Sequence, residues 1–205
     1  FIGVAHRLDR PVSGLVVFAK TSKALSRLNE MFKNSEVKKT YWAVVKNLPR
    51  EEEGELVNYL VRNEKQNKSY AYDKEVPGSK KAILHYRLIG RSQNYYLLEI
   101  DLKTGRHHQI RVQMAYHGTP LYGDMKYGVP VGTAKLDKKE NADQGTMTAA
   151  GNRNMPGIRT AGNMGSGRES IALCASSLTF FHPVTKKEMT FEIEPVGGAF
   201  QLFQV

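Results

Sequence analysis

The chain has 205 residues, 40% hydrophobic, 24% charged and 9% aromatic, enough apolar material for a buried core in one or two globular domains. These proportions exclude a collagen-like or coiled-coil rod and disorder over most of the length, and no run of 18 apolar residues is present to span a bilayer. Thirty Lys and Arg against twenty Asp and Glu leave a formal charge of +10, a field that concentrates polyanions, of which nucleic acid is the commonest in a cell.

A lone cysteine, Cys174, offers no internal disulfide and no cysteine-based metal site, which fits a reducing compartment. No charged-then-apolar leader opens the chain, so the expected location is cytoplasmic. The sequence starts at Phe1 in mid-pattern. The expectation is therefore a single domain over 1–205 that lacks an N-terminal portion.

Residues 14–20 form a short apolar run led by Gly14 and read as a buried strand. Thr21 and Ser22 then offer N-cap oxygens, and Ala24, Leu25, Leu28, Met31 and Phe32 recur at helical spacing, predicting an amphipathic helix over 22–34. Residues 40–46 are β-branched and aromatic, hence a strand; Pro49, the acidic run 51–53 and Gly54 mark a turn. From 81 to 89 the chain alternates, with Ala82, Leu84, Tyr86 and Leu88 on one face. From 94 to 102 it alternates again, with Tyr96, Leu98, Ile100 and Leu102 together, so the two make a hairpin through the segment beginning at Gly90. Thr104-Gly105 breaks the second strand, and 107–117 reads as a helix stopped by Gly118. Residues 171–181 and 187–194 form a closing strand pair around His182-Pro183. Many strands with few helices, not regularly alternating, predict an α+β fold: a mainly antiparallel mixed sheet with a few flanking helices.

One stretch differs from the rest. Residues 144–167 hold six of the eighteen glycines and no acidic residue, and across 126–168 seven Lys and Arg face three Asp and Glu. Such a composition cannot bury enough apolar surface to offset its ordering entropy, so a flexible basic insertion is expected at about 135–168.

Three clusters carry the chemistry. In His6-Arg7-Leu8-Asp9-Arg10, Asp9 sits between two arginines, and nearby positive charge favours the anionic form of a carboxylate, which can serve as nucleophile or general base. The bland alternative is a solvated loop in which Asp9 pairs with Arg7 or Arg10. In Lys38-Lys39-Thr40-Tyr41-Trp42, aromatics follow cations, a pattern that stacks bases while lysines hold phosphates. Alternation turns Tyr41 and Trp42 to opposite sides, one to the core and one to a cleft. In Thr104-Gly105-Arg106-His107-His108-Gln109-Ile110-Arg111, a strand-to-helix junction attracts anions, Arg106 can grip a phosphate or a carboxylate, and His107 and Arg111 share a helix face. His107 and His108 diverge on such a helix and no third ligand lies at a useful spacing, so no metal is expected.

Taken together and in this order, with Ser13-Gly14 after the first cluster and Gly118-Thr119-Pro120-Leu121-Tyr122-Gly123-Asp124 and Tyr127-Gly128 after the third, these motifs resemble the RluA-type pseudouridine synthases over roughly residues 4–128. The sequence departs from that pattern at Pro11-Val12, at Gln113 where a His is frequent, in the insertion, and in lacking a strand and Lys-Pro-Gly stretch before the first motif. The resemblance implies a sheet-based catalytic domain that isomerises uridine in rRNA or tRNA to pseudouridine without metal or organic cofactor. It implies Asp9 as the catalytic aspartate, Tyr41 as the aromatic stacking on the target uracil, and Arg111 as the partner of Asp9. Arg7 would help hold open the RNA, with Arg10, Lys38, Lys39, Arg106 and His107 completing the RNA surface. RNA is the only partner implied. The rival from another class is a non-catalytic RNA-binding module on the same scaffold; a glycosidase would need a second carboxylate at the scissile bond, and neither Asp101 nor Asp124 is placed beside Asp9 by sequence.

Overall fold

Alternating apolar side chains build most of this fold. The computed structural model describes residues 1–128 and 171–203, and the insertion expected at 135–168 lies outside them. Two short strands, β1 (Gly3–Val4) and β3 (Phe18–Ala19), pair antiparallel as a separate ribbon. Between them β2 (Ser13–Gly14) runs parallel to β9 (Leu173–Phe181). The single strand expected over 14–20 is therefore two pieces in two different sheets, and Phe18 is exposed. The reason is Gly14. At φ +123° it brings the backbone so close to β9 that a Cβ there would lie 2.4 Å from the Ala175 nitrogen, and the chain then leaves the sheet.

The main sheet runs β10 (Glu188–Glu192), β9, β4 (Lys38–Val45), β8 (Tyr96–Leu102), β7 (Lys80–Arg91), β5 (Glu53–Asn63), β6 (Lys68–Tyr72), with every neighbouring pair antiparallel. The β7–β8 hairpin forms as expected. Its turn, however, lies at Ser92–Tyr95, closed by the Ser92 N–H on the Tyr95 carbonyl, and Gly90 sits instead at a bulge. Gly54, read as part of a turn, belongs to the eleven-residue strand β5. The closing pair β9–β10 turns through His182–Pro183.

Helix α1 (Ser22–Lys33) begins where Thr21 Oγ1 accepts the Ala24 N–H and ends in a left-handed Ser35, with the Glu36 N–H returning to Met31. It covers β1, β3 and the β9 end through Leu28 and Met31. Helix α2 (Gln109–Tyr116) ends in the same motif: left-handed Gly118, its N–H on Ala115, and the Thr119 N–H on Met114.

The two faces of the sheet bury different clusters. Tyr41, Ala43 and Val45 point to one side, with Leu84, Tyr86, Leu98 and Ile100, and are roofed by Ile110 and Met114 of α2. Val44 and Leu97 point to the other, against Cys174, Ala199 and Phe200, the last two from a 3-10 turn at Gly198–Phe203. Burying the first face at roughly 25 cal/mol per Å² of apolar area is what seats α2, and with it Arg111, over the sheet. Among the described residues no helix is long and apolar enough to cross a membrane.

Candidate active site

Asp9 stands in a turn closed by the Val12 N–H on its own carbonyl, 2.9 Å. Leu8 and Val12 on either side pack against the core below Tyr41, and the Val17 N–H donates to His6 Nε2 at 3.2 Å, tying the ends of the loop together. His6 is thus a loop fastener, its pKa lowered by burial and by Lys39. The Asp9 side chain remains 29% exposed at the mouth of the arrangement.

Its cation comes from neither flanking arginine. Arg7 and Arg10 are exposed, whereas Arg111 Nη1 donates to Asp9 Oδ2 at 3.4 Å from a side chain only 6% exposed. Arg111 is itself gripped by Asp124: Nε donates to Oδ2 at 2.8 Å and Nη2 to Oδ1 at 2.9 Å. The Lys126 and Tyr127 backbone N–H groups complete the Asp124 carboxylate, whose side chain is fully buried. Burial pushes the Asp124 acid up, but the guanidinium and these N–H groups outweigh it and hold it below the usual carboxylate range. Burial likewise works against the Arg111 charge, and Asp124 and Asp9 together overcome it. The consequence is geometric. A fork bound along one edge by Asp124 cannot swing, so its remaining nitrogen is fixed toward Asp9. Asp124 is too buried to meet a substrate and Asp101 lines the opposite face of the sheet, so neither is the second carboxylate that a glycosidase would need.

Tyr41 lies on the same side. It is 9% exposed, and burial, with contributions from Asp9 and Cys174, pushes its phenol up to about 12, so the ring meets the site with its proton on. Trp42 faces the opposite side of the sheet, as alternation requires.

The junction before α2 departs from the sequence reading. The helix starts at Gln109, not 107, because His108 takes a left-handed backbone (φ +54°) as N-cap. That kink swings the two imidazoles together instead of apart; they stack with centroids 3.7 Å apart. His107 consequently precedes the helix and does not share a face with Arg111. It is held by Ser69 Oγ and Asn67 Oδ1 at 2.9 and 3.1 Å. His108 is 9% exposed, with Nε2 3.8 Å from Asp9 Oδ2 and Nδ1 2.8 Å from the Tyr127 hydroxyl. The Gln109 side chain ties the loop, accepting from Thr104 Oγ1 and the Arg106 N–H while donating to Ile83. Among the described residues no group of three His, Cys, Asp or Glu could hold a metal ion.

A family model described as RNA pseudouridylate synthase matches residues 1–116, a span that contains Asp9, Tyr41 and Arg111. The chain belongs to this family. It is 38% identical over 126 residues to "Uncharacterized RNA pseudouridine synthase YlyB" of Bacillus subtilis, covering 62% of this chain and 41% of that protein. It is 36% identical over 133 residues to "Ribosomal large subunit pseudouridine synthase D" of Borreliella burgdorferi, covering 65% of this chain and 40% of that protein. The chain thus spans about two fifths of the length of either relative. The fold resembles that of "Human RNA Pseudouridylate Synthase Domain Containing 1", with TM-score 0.68 and 17% identity over 95% of this chain and 69% of that one. The mixed, largely antiparallel sheet with few helices is therefore that of a pseudouridylate synthase domain.

Within this family scaffold the expected RNA contacts divide. Arg7, Arg10 and Arg106 are exposed, Arg106 also donating from Nε to the Lys81 carbonyl. Lys39 shares the Tyr41 face but is buried, with its pKa lowered by that burial. Lys38 points to the opposite face. Gln113, at the position of departure from the family pattern, is fully buried and donates to Asn58 Oδ1 and the Leu56 carbonyl, pinning α2 to β5. Sequence reading missed Asp124 and His108 as neighbours of the site. Their only signal was position: Asp124 and Tyr127 close the third motif, and His108 stands three before Arg111.

Proposed function

We propose that this chain is an RNA pseudouridine synthase in which Asp9 is the reacting carboxylate. The observation that carries the reading is the partly exposed Asp9 carboxylate 3.4 Å from an Arg111 guanidinium immobilised by Asp124, beside the neutral phenol of Tyr41. Isomerisation breaks the bond from ribose C1′ to uracil N1 and makes one from C1′ to C5; the proton on C5 leaves and N1 ends protonated, so nothing is oxidised and no group is lost. One positioned carboxylate in a water-poor pocket meets that need. Asp9 assists cleavage of the glycosidic bond, Arg111 orients it, and Tyr41 offers a ring to the extruded base. Flipping the nucleotide costs a few kcal/mol, and stacking returns roughly 1–3 kcal/mol of it. Arg7, Arg10 and Arg106 are proposed to hold the backbone, with RNA as partner and the cytoplasm as location.

Similarity to the ribosomal large subunit pseudouridine synthase D of Borreliella burgdorferi favours large-subunit ribosomal RNA over transfer RNA as substrate. Mapping pseudouridine across all cellular RNA, with the intact protein and with Asp9→Ala, tests both points. Sites present with the parent and missing with the variant are expected, and they should fall in ribosomal RNA. Equal maps from the two would leave only the RNA-binding reading.

A further inference from the structure

The Ser69 backbone N–H donates to the Tyr127 hydroxyl oxygen at 2.8 Å, and that hydroxyl lies 2.8 Å from His108 Nδ1. A phenol has one proton to give. With its oxygen already accepting from Ser69, the phenol proton is directed to Nδ1, which leaves the ring proton of His108 on Nε2. The reverse tautomer would aim a bare Nε2 lone pair at Asp9 Oδ2, 3.8 Å away, which is repulsive.

The imidazolium is disfavoured by its surroundings. Around His108 stand Arg111 from α2, His107 stacked on the ring, Lys126 and Tyr127 from the segment after Asp124, Ser69 from β6, and Asp9. Burial lowers the pKa most; Arg111, His107 and Lys126 lower it further, Asp9 alone opposes, and the result is about 4. Tyr127 is kept protonated for its part, its pKa raised to about 12 chiefly by burial.

We propose that His108 is a positioning residue for Asp9: the relay from Ser69 through Tyr127 fixes it as the neutral Nε2–H tautomer, and that N–H is the second donor to the carboxylate after Arg111. The proposal rests on Asp9 being the reacting group. Arg111 Nη1 and His108 Nε2 both approach Oδ2, so together they anchor one oxygen and leave Oδ1 for the substrate. The 3.8 Å approach is longer than a hydrogen bond and closes when the target uridine fills the pocket, as catalytic contacts in empty sites often do. The left-handed backbone of His108, φ +54°, is what aims the ring.

The test combines two readouts on the full chain. Nitrogen-15 spectra of the ring, assigned by loss of the signals in His108→Asn, should show a pyridine-type Nδ1 and a pyrrole-type Nε2 at pH 7, unchanged down to about pH 5. A pyrrole-type Nδ1, or titration near pH 6.5, would overturn the proposal whatever the enzyme's activity. In steady-state assays His108→Asn keeps a residue that tolerates the left-handed backbone but has too short an amide. It should lower kcat about 10–100-fold with KM little changed. His108→Gln, whose amide nitrogen reaches the Nε2 position, should recover most of that loss. Full kcat in His108→Asn would overturn the proposal. An inactive parent with the stated nitrogen pattern would instead fail the synthase reading while leaving the tautomer assignment standing.

Discussion

The two faces of β4 make opposite offers to a polyanion. On one, Tyr41 and Ala43 lie under α2, and Asp9 stands beside Arg111, with Arg7 and Arg10 exposed. On the other, Thr40 and Trp42 floor an open groove of about 610 Å³ lined by Glu53, Glu99, Asp101, Glu192 and Glu194 against Lys38, Arg87 and His85. The groove has ample volume and the wrong sign. Several of its groups are moreover already engaged: Arg87 pairs with Glu99 at 2.9 Å, His85 lies 3.6 Å from Glu53, and Asp101 pairs with Lys103. The contrast teaches that concavity alone does not mark this protein's chemistry. What distinguishes the Asp9 face is a carboxylate left partly open beside a cation that a second, buried carboxylate holds still.

Removing that second carboxylate should have the largest effect. Asp124→Ala strands the Arg111 charge in the interior, so roughly 3–5 kcal/mol of stability should go, read by chemical denaturation, together with most of the activity. If the variant kept both, Asp124 would not be what fixes the guanidinium. Arg111→Lys is gentler. An ammonium lacks the planar fork that grips Asp124 along one edge while aiming a third nitrogen at Asp9, and a loss of about 100-fold in kcat is expected with folding retained.

Tyr41 separates ring from hydroxyl. Tyr41→Phe should keep much of the activity if the ring acts by stacking, since the phenol is neutral at working pH. Tyr41→Ala should lose it and also about 3–5 kcal/mol of stability, because the ring belongs to the core. Equal kinetic losses in the two would transfer the role to the hydroxyl.

How much of this was visible in the sequence follows from which forces decided each part. The β7–β8 hairpin was legible because Leu84, Tyr86, Leu98 and Ile100 alternate without interruption and are buried as the alternation demands. Helix α1 was legible from its caps. Strand β5 was not: it buries the polar Asn58 and exposes Val57, so its pattern carries no clean amphipathic signal. At the site, Asp9 and Arg111 could be paired only through family resemblance, because 102 residues separate them. The partnership of Arg111 with Asp124 and the left-handed turn at His108 are tertiary choices, made by packing around buried charge, and no local propensity announces them.

Acid should sharpen the same contrast. Unfolded His108 would take up a proton near 6.5, whereas in the fold it resists to about 4; between those values the unfolded chain binds more protons, so stability falls as pH falls through that window. His6, His107 and His117 are also lowered, each mainly by burial, and add to the slope; Asp124 adds a further loss below the usual carboxylate range. Melting temperature should drop by several degrees between pH 7 and pH 5, and by less in His108→Asn. A flat profile would contradict a buried, neutral imidazole. The smallest effect belongs to the groove. Glu99→Gln and Asp101→Asn disturb exposed or half-exposed pairs worth at most about 1 kcal/mol and should leave turnover unchanged.

The most direct test of the central claim follows the hydrogen on uracil C5, which must leave when the new bond to ribose forms. Large-subunit ribosomal RNA transcribed with tritium at that carbon, incubated with the purified chain, should release tritium to water, and Asp9→Asn should release none while binding the same RNA with unchanged Kd. Equal release from the two proteins would contradict the account.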